Sequence, residues 1–136
     1  MSKRIAVLVS GGGTNLQALI DAQHRGEIVN GEIAVVIASK PGVYALERAE
    51  QAGIPHCVIA RRDYDSSRAM TVALVERLKA LNIDLVVLAG FMTILTDEMV
   101  QAFPNAILNV HPALIPSFCG PGHYGLHVHE KALEYG

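Results

Sequence analysis

A carboxamide and an imidazole lie two residues apart, at Asn109 and His111, where an apolar run of the chain stops. If Ala106 to Val110 is a buried strand, alternation sends both side chains to one face at its carboxyl end. In open α/β sheets, ligands bind at that edge. Pro112 cannot donate to a strand ladder, so pairing should end there and leave His111 at the rim of a crevice. The spacing predicts a hydrogen-bond donor beside a group that can carry a proton near neutral pH.

A glycine-rich segment, Ser10-Gly11-Gly12-Gly13-Thr14-Asn15, follows the first apolar run and precedes the first helical pattern. Backbone N–H groups in such a turn, together with the amino end of the helix, can form an anion site, because glycines let the backbone approach a phosphate. A tight packing turn would also use glycine. Three glycines with two hydroxyls and an amide exceed what a turn requires, which favours the phosphate site.

The glycine segment fits neither of two common nucleotide-binding motifs. No lysine follows its last glycine, so the Walker pattern fails, and the third glycine of the dinucleotide fingerprint falls on Leu16. The second strand ends at Ser39 and Lys40 rather than at an acidic residue that could bind a ribose 2′-hydroxyl. The sequence therefore favours a monophosphate compound.

Short β-branched runs alternate with helical patterns along the chain. The five predicted strands are Ile5 to Val9, Ile33 to Ala38, His56 to Ile59, Leu85 to Ala89 and Ala106 to Val110. Helical spacing of apolar residues appears in Leu16-Leu19-Ile20, Ala45-Leu46-Ala49 and Met70-Ala73-Leu74-Arg77-Leu78-Leu81. Thr96 is expected to cap a further short helix. Strands that are apolar throughout are covered on both faces, so we predict a doubly wound, Rossmann-like α/β fold, mainly parallel, with helices on both sides.

The composition predicts one soluble domain that binds a small molecule. Of the 136 residues, 51% are hydrophobic, and the formal net charge is −2. That charge gives no basic footprint for nucleic acid and no polybasic strip for anionic lipid. No apolar run approaches the roughly 18 to 20 residues needed to span a bilayer. Two cysteines are too few for a disulfide framework, which fits a reducing cytoplasm.

Taken together, these motifs resemble a known family, the glycinamide ribonucleotide formyltransferases of purine synthesis, over essentially the whole chain. The resemblance depends on the segments Ser10 to Ile20, Glu47-Arg48-Ala49, Leu88 to Met92, and Asn109 to Pro112 with the following Leu114-Ile115-Pro116. Two related groups, the methionyl-tRNA formyltransferases and the formyltetrahydrofolate deformylases, share a motif like Asn109 to Pro112. The former usually lack the glycine segment, and the latter usually carry an additional amino-terminal regulatory domain.

The resemblance implies that a formyl group passes from the co-substrate 10-formyltetrahydrofolate to the amine of glycinamide ribonucleotide, without a metal. Attack of the amine on the formyl carbon creates a tetrahedral oxyanion, which a neutral donor and a proton carrier would stabilise. Asn109 would be the donor, and His111 would stabilise the oxyanion as imidazolium and move the proton. The substrate phosphate would be bound by Gly13, Thr14 and Asn15.

The resemblance also implies a folate site. Its pterin end would be lined by Met92, Thr93, Ile94 and Leu95, and Asn109 would also contact the folate. Many relatives have Arg where this chain has Thr93. A second family Arg aligns with Ser67 without gaps, and with Arg68 after a shift of one residue, so Arg68 is a candidate folate contact. The basic pair Arg61-Arg62 is typical of a solvated loop, but it could also meet the acidic tail of a folate.

The end of the chain departs from the family pattern. Family members continue past the position of Gly136 with a further strand, a loop whose Asp pairs with the catalytic His, and a long helix. We therefore expect residues 1–136 to form a single formyltransferase domain that lacks its carboxyl-terminal strands and helix, as a fragment or as part of a longer chain. An exposed sheet edge would favour self-association, with a homodimer as one form.

Four residues near this end have the side chains of zinc ligands: Cys119, His123, His127 and His129. Their spacings match no common zinc pattern, and nearby glycines and a proline favour a loop beside the active site. Two other function classes stay open. One is a phosphosugar-binding module without turnover, and the other is a hydrolase, acting on formyltetrahydrofolate or through a metal held by His111 and the later histidines. Turnover separates the transferase from the module, and chelation identifies a metal hydrolase.

Overall fold

The computed structural model describes residues 3–28, 30–91 and 93–110. Within these residues the strands are β1 Lys3–Val9, β2 Gly31–Ala38, β3 His56–Val58, β4 Leu85–Ala89 and β5 Ile107–Val110. The helices are α1 Thr14–His24, α2 Tyr44–Gln51, α3 Ser67–Ala80 and α4 Asp97–Ala102, and a single 3₁₀ turn covers Arg61–Asp63. The predicted strands are confirmed, except that Ile59 and Ala106 lie just outside β3 and β5.

The described strands form one parallel sheet in the order β3-β2-β1-β4-β5. From β1 the chain adds β2 and β3 on one side, and then returns to place β4 and β5 on the other side. This reversal leaves a crevice between the carboxyl ends of β1 and β4, the position at which open α/β sheets bind ligands. The segments that border it begin at Ser10 and Gly90.

Alternating side chains of β1 enter two separate hydrophobic layers. Ile5, Val7 and Val9 share one layer with the buried faces of α1 and α2, formed by Leu16, Ile20, Ala45 and Ala49. Ala6 and Leu8 share the other with α3 and α4, through Met70, Leu74, Leu78 and Met99. A central strand buried on both faces explains its near-continuous apolar sequence. The predicted α/β fold, with a parallel sheet and helices on both faces, is confirmed.

The amino ends of α3 and α4 are built differently. Ser66 precedes α3, and its Oγ accepts a hydrogen bond from the backbone N–H of Ala69 at 3.0 Å, which is an ordinary N-cap. Thr96 precedes α4 as predicted, but its hydroxyl donates to the Glu98 carboxylate instead of accepting from the helix. The expectation of a side-chain cap at Thr96 was therefore wrong, because a charged acceptor two residues away takes the hydroxyl.

Within the described residues, β3 and β5 are the outer strands of the sheet. Among the same residues, no helix combines the length and the apolar composition that crossing a membrane requires. The predicted homodimer stays a prediction.

Candidate functional site

The glycine segment and the end of β5 meet across β4. The side-chain amide of Asn15, on the first turn of α1, donates through Nδ2 to the carbonyl oxygen of Val110 at 3.3 Å. Asn109 precedes Val110 and pairs in register with Leu88 of β4. The two motifs that the sequence analysis singled out are thus neighbours at one edge of the sheet, although 95 positions separate Asn15 from Val110.

Packing explains one glycine of the segment but not the others. Gly13 has a left-handed backbone, with φ of 81°, and a Cβ placed on it would lie 2.7 Å from the Cβ of Ala45. A Cβ on Gly11 or Gly12 would meet no described atom within 4 Å, and neither residue has a positive φ. Side chains would therefore fit at these two positions in the protein alone. Their absence leaves room for a ligand close to the backbone.

Neighbouring elements hold the glycine segment from outside. Ser39, at the end of β2, donates through its hydroxyl to the hydroxyl oxygen of Ser10 at 2.7 Å, and both serines are buried. The backbone N–H of Ala45 donates to the carbonyl oxygen of Gly11 at 3.3 Å. Arg48 Nε donates to the carbonyl oxygen of Gly12 at 2.8 Å. The segment is therefore fixed mainly through its carbonyl groups and its serine.

The three residues expected to bind phosphate are placed together but have different surroundings. Gly13 is the N-cap of α1, Thr14 is exposed at its first position, and Asn15 is partly buried. The backbone N–H groups in the first turn of a helix have no carbonyl partner within it, which suits them to an anion. The side chain of Asn15 is already committed to Val110. An anion would therefore meet its backbone N–H, or the one amide hydrogen that this bond leaves over.

Asn109 lies on the side of the sheet that faces α3 and α4. Along β5 it alternates with Val110, which belongs to the layer of α1 and α2, and it points the same way as Ile107 in the opposite layer. Asn109 is partly buried near the carboxyl end of β5. His111 and Met92, which the sequence analysis assigned to catalysis and to the folate site, lie outside the described residues.

The three described residues after β4 that were expected to line the folate site differ in exposure. Thr93 borders a cavity of about 410 Å³. Ile94 is 73% exposed, which is unusual for a large apolar side chain, whereas Leu95 packs against the layer of α3 and α4. The segment is anchored at its end, where the backbone N–H of Thr96 donates to the hydroxyl of the buried Thr71 at 3.2 Å.

The cavity beside Thr93 lies at the carboxyl ends of β2 and β3 and has a basic lining. Its described lining residues contain three cationic side chains and no carboxylate: Ser39, Lys40, Pro41, Ala60, Arg61, Arg62 and Thr93. Arg61 is partly committed, since it donates to the carbonyl oxygen of Tyr64 at 2.8 Å and to the hydroxyl of Ser67 at 3.2 Å. Arg61 and Arg62 are exposed, as predicted for a solvated loop, and they also border an open space large enough for part of a ligand.

Arg68 has a partner within the protein. Its Nε lies 2.8 Å from Oε2 of Glu98, and its side chain is 75% exposed. The hydroxyl of Thr96, the helix backbone and Arg68 together hold the pKa of Glu98 below its usual value, with Thr96 having the largest effect. Since Ser67 accepts from Arg61, both candidates for the family Arg position have internal partners.

Arg48 and Ser39 hold the glycine segment in place, but the sequence analysis assigned neither of them a functional role. Arg48 was quoted only as part of a recognisable motif, and Ser39 only as a residue that is not acidic. One signal could have identified Arg48: it is a long cationic side chain on α2, a helix whose buried residues are the small Ala45 and Ala49. Cys119, His123, His127 and His129 lie outside the described residues, so the choice between a loop and a zinc site there stays a prediction.

Comparison with known proteins gives a consistent family match. A family model described as formyl transferase matches residues 3–136. Phosphoribosylglycinamide formyltransferase of Haemophilus influenzae is 46% identical over 134 residues, which cover 98% of this chain and 60% of that protein. The trifunctional purine biosynthetic protein adenosine-3 of Drosophila melanogaster is 44% identical over 135 residues, which cover 98% of this chain and 10% of that protein.

Solved structures give the same result. Glycinamide ribonucleotide transformylase 1 from Symbiobacterium toebii superposes with a TM-score of 0.78 at 44% identity, covering 99% of this chain and 61% of that one. Glycinamide ribonucleotide transformylase 1 from Geobacillus kaustophilus has a TM-score of 0.78 at 34% identity, covering 100% and 69%. The chain therefore spans about three fifths of the length of its monofunctional relative from Haemophilus influenzae.

Proposed function

Since the chain belongs to the formyl transferase family, we propose that it is a phosphoribosylglycinamide formyltransferase of purine biosynthesis. It would move the formyl group of 10-formyltetrahydrofolate to the amine of glycinamide ribonucleotide, in the cytoplasm and without a metal. The observation that supports this proposal is the hydrogen bond from Asn15 to Val110, which joins the glycine segment to the end of the strand that contains Asn109. A phosphate and a reacting carbonyl could then be held by neighbouring groups in one crevice.

The phosphate half of the substrate fits the glycine segment. Backbone N–H groups at Gly13, Thr14 and Asn15 begin α1, where the helix dipole favours an anion. The open space at Gly11 and Gly12 supports close approach of the phosphate oxygens. The overall charge of −2 makes such local geometry necessary, because no long-range positive field would attract the substrate.

The chemical step would take place at Asn109. The substrate amine attacks the formyl carbon and forms a new C–N bond, and the carbonyl electron pair moves onto oxygen. The Asn109 carboxamide donates a hydrogen bond to that oxyanion, and His111 as imidazolium adds a positive charge beside it. Collapse of the intermediate breaks the bond to the folate nitrogen, which takes the proton of the imidazolium, and the neutral His111 then accepts the proton lost by the amine.

The folate would extend from the segment after β4 toward the basic cavity. Asn109 and Thr93 lie at the ends of neighbouring strands or directly after them, so one extended ligand can reach both. The folate tail carries carboxylates, which match the positive lining provided by Lys40, Arg61 and Arg62. Arg68 would contribute only after leaving Glu98, an exchange that an exposed ion pair permits at small energetic cost.

A formyl-transfer assay on the full-length protein tests the proposal and separates its alternatives. The assay supplies 10-formyltetrahydrofolate with or without glycinamide ribonucleotide and follows tetrahydrofolate and formylated product. The proposed enzyme forms both in equal amounts, only when the ribonucleotide is present, and keeps its rate in a chelator. Binding of the ribonucleotide without turnover would instead identify a phosphosugar-binding module. Formate release without an acceptor would identify a hydrolase, and loss of that release in chelator would assign it to a metal.

A further inference from the structure

Arg48 of α2 makes three contacts at the back of the glycine segment. Its Nε donates to the carbonyl oxygen of Gly12 at 2.8 Å, and its Nη1 donates to Oε1 of Gln17 at 3.1 Å. Its guanidinium also lies over the ring of Tyr44, 4.7 Å from the centroid. Gln17 in turn donates through Nε2 to Asp21, which fixes the orientation of its amide. The cation is therefore held from several directions rather than free to reach a ligand.

The orientation of the loop amides follows from these contacts. Two carbonyl groups of the segment point toward α2: that of Gly11 accepts from the N–H of Ala45, and that of Gly12 accepts from Arg48. None of the described peptide bonds is cis. In a trans peptide the C=O and the following N–H point in opposite directions. The N–H groups of Gly12 and Gly13 therefore point away from α2.

A phosphate bound in the crevice needs N–H groups that point into the crevice, and this means away from α2. The connection from β2 to β3 contains α2, so α2 lies on the far side of β1 from β4. The crevice lies on the β4 side of β1, where Asn15 in the first turn of α1 reaches Val110. Turning two carbonyls toward α2 removes acceptor oxygens from the crevice and presents donors to it, which is how a backbone nest binds an anion.

The geometry points to Arg48 as a positioning residue for the phosphate of glycinamide ribonucleotide, acting through Gly12 rather than by touching the ligand. This inference rests on the proposed function, since it assigns the selectivity of that same site for phosphorylated substrates. Arginine suits the role because its planar fork donates to two acceptors at fixed angles while stacking on an aromatic ring. Lysine would retain the charge but would not reproduce both bonds.

The test compares two ligands in the full-length protein. Calorimetry measures the Kd of glycinamide ribonucleotide and of glycinamide riboside, which lacks the phosphate. In wild type the ribonucleotide should bind more tightly. We expect Arg48→Met and Arg48→Lys both to raise the ribonucleotide Kd about tenfold, the loss typical of one hydrogen bond from a charged donor, with less than a twofold change for the riboside. Arg25→Met, which removes an exposed cation paired with Glu27, is the matched control and should change neither.

A second variant and a spectroscopic measurement keep the test independent of the stability of Arg48→Met. Gln17→Met removes one of the two acceptors that hold Arg48 and should raise the ribonucleotide Kd about threefold. In wild type, titration with inorganic phosphate should shift the backbone amide resonance of Gly13. In the Arg48 variants that shift should require at least tenfold more phosphate.

Three other results would contradict either the role of Arg48 or the proposed phosphate site. Wild-type affinity in Arg48→Lys would mean that charge alone is needed, and it would overturn positioning through Gly12. Equal weakening of both ligands would assign Arg48 a purely structural role. If the wild-type protein bound the riboside as tightly as the ribonucleotide, the phosphate site of the proposed function would itself be refuted.

Discussion

The two sides of the crevice are built by different parts of the chain. On one side, which we call the backbone wall, residues 10–15 present amide groups, while the Arg48 side chain and the backbone N–H of Ala45 hold two of their carbonyls from behind. On the other side, which we call the side-chain wall, Thr93, Ile94 and the cations Lys40, Arg61 and Arg62 present their own groups to the ligand space. Asn109 belongs to the second kind, since the group proposed to act there is its side-chain carboxamide.

This difference determines how each wall responds to substitution. Amides of the backbone wall are not removed by truncating a side chain, so changes there act through packing and conformation and should alter stability together with phosphate binding. Groups of the side-chain wall can be deleted with little effect on the core, because they are exposed or only partly buried. Changes there should alter turnover or folate affinity while leaving the free energy of unfolding nearly constant.

The largest effect is expected from Asn109→Ala. The variant should fold with an unchanged melting temperature and lose turnover by roughly a hundredfold to a thousandfold, the loss seen when one oxyanion donor is removed. His111→Ala should lose turnover to a similar extent. Steady-state formyl transfer and thermal unfolding measure the two quantities on the same samples. Wild-type turnover in Asn109→Ala would remove it from the chemical step and contradict the assignment of this wall.

Gly13→Ala tests the backbone wall. The new Cβ would lie 2.7 Å from Ala45 Cβ and 2.9 Å from Ala45 Cα, in a residue with φ of 81°. We expect the free energy of unfolding to fall by about 3 kcal/mol, combining left-handed strain with overpacking, and the ribonucleotide Kd to rise. Gly26→Ala is the matched control, because Gly26 has φ of 74° but no described atom within 4 Å of the added Cβ.

Urea denaturation of Gly13→Ala and Gly26→Ala separates the cost of left-handed backbone strain from the cost of overpacking. Gly26→Ala should cost only the conformational part, about 1 to 2 kcal/mol, and should leave ligand binding unchanged. If the two variants were equally stable, the contact between the glycine segment and α2 would not constrain the loop. The backbone wall would then be less rigid than its contacts with α2 indicate.

Local patterns were sufficient to predict the sheet and the helix faces. The bounds of Leu85 to Ala89 were predicted without error, because a fully buried parallel strand has a continuous apolar sequence between polar residues. The apolar faces of α1, α2 and α3 followed from spacing, since i, i+3 and i+4 positions share a side of any helix. In α3, however, Arg77 of the predicted face is exposed, and the buried Thr71 was not predicted. The position of the crevice could also be predicted, because a parallel sheet places the carboxyl ends of all its strands at one edge.

Features that depend on distant contacts could not be predicted. The requirement for glycine at position 13 comes from Ala45, which approaches only after α2 packs beside α1. The role of Arg48 depends on the same packing. Thr96 shows a subtler limit: its place before α4 was predicted, but its hydroxyl bond was not, because Glu98 competes for the hydroxyl. Sequence spacing indicates where groups lie, and only the packed structure determines which partner each one takes.

A smaller effect is expected from removing cations of the side-chain wall. The double variant Lys40→Ala with Arg62→Ala should raise the KM for 10-formyltetrahydrofolate by about fivefold at low salt, with kcat and the KM for the ribonucleotide nearly constant. The increase should diminish in high salt, because exposed charges are screened. The control is Lys3→Ala with Arg25→Ala, which removes two cations at the opposite edge of the sheet. An equal rise of KM in this control would show that only overall charge matters.

The smallest effect is expected at Glu98, which supports the side-chain wall from behind. The Thr96 hydroxyl, the helix backbone and Arg68 lower the pKa of Glu98 from its ordinary value of 4.5. A lowered pKa means that the ionised carboxylate stabilises the fold fully above pH 4.5, and that this contribution is lost as the pH falls through the lowered value. Glu98→Gln should therefore melt slightly below wild type at pH 7, and the difference should shrink as the pH falls below 4.5. The control Glu76→Gln, at an exposed carboxyl of α3, should melt like wild type at pH 7. A constant gap for Glu98→Gln across this range would mean that Glu98 acts through packing rather than through charge, and that the segment after β4 is held by Thr71 alone.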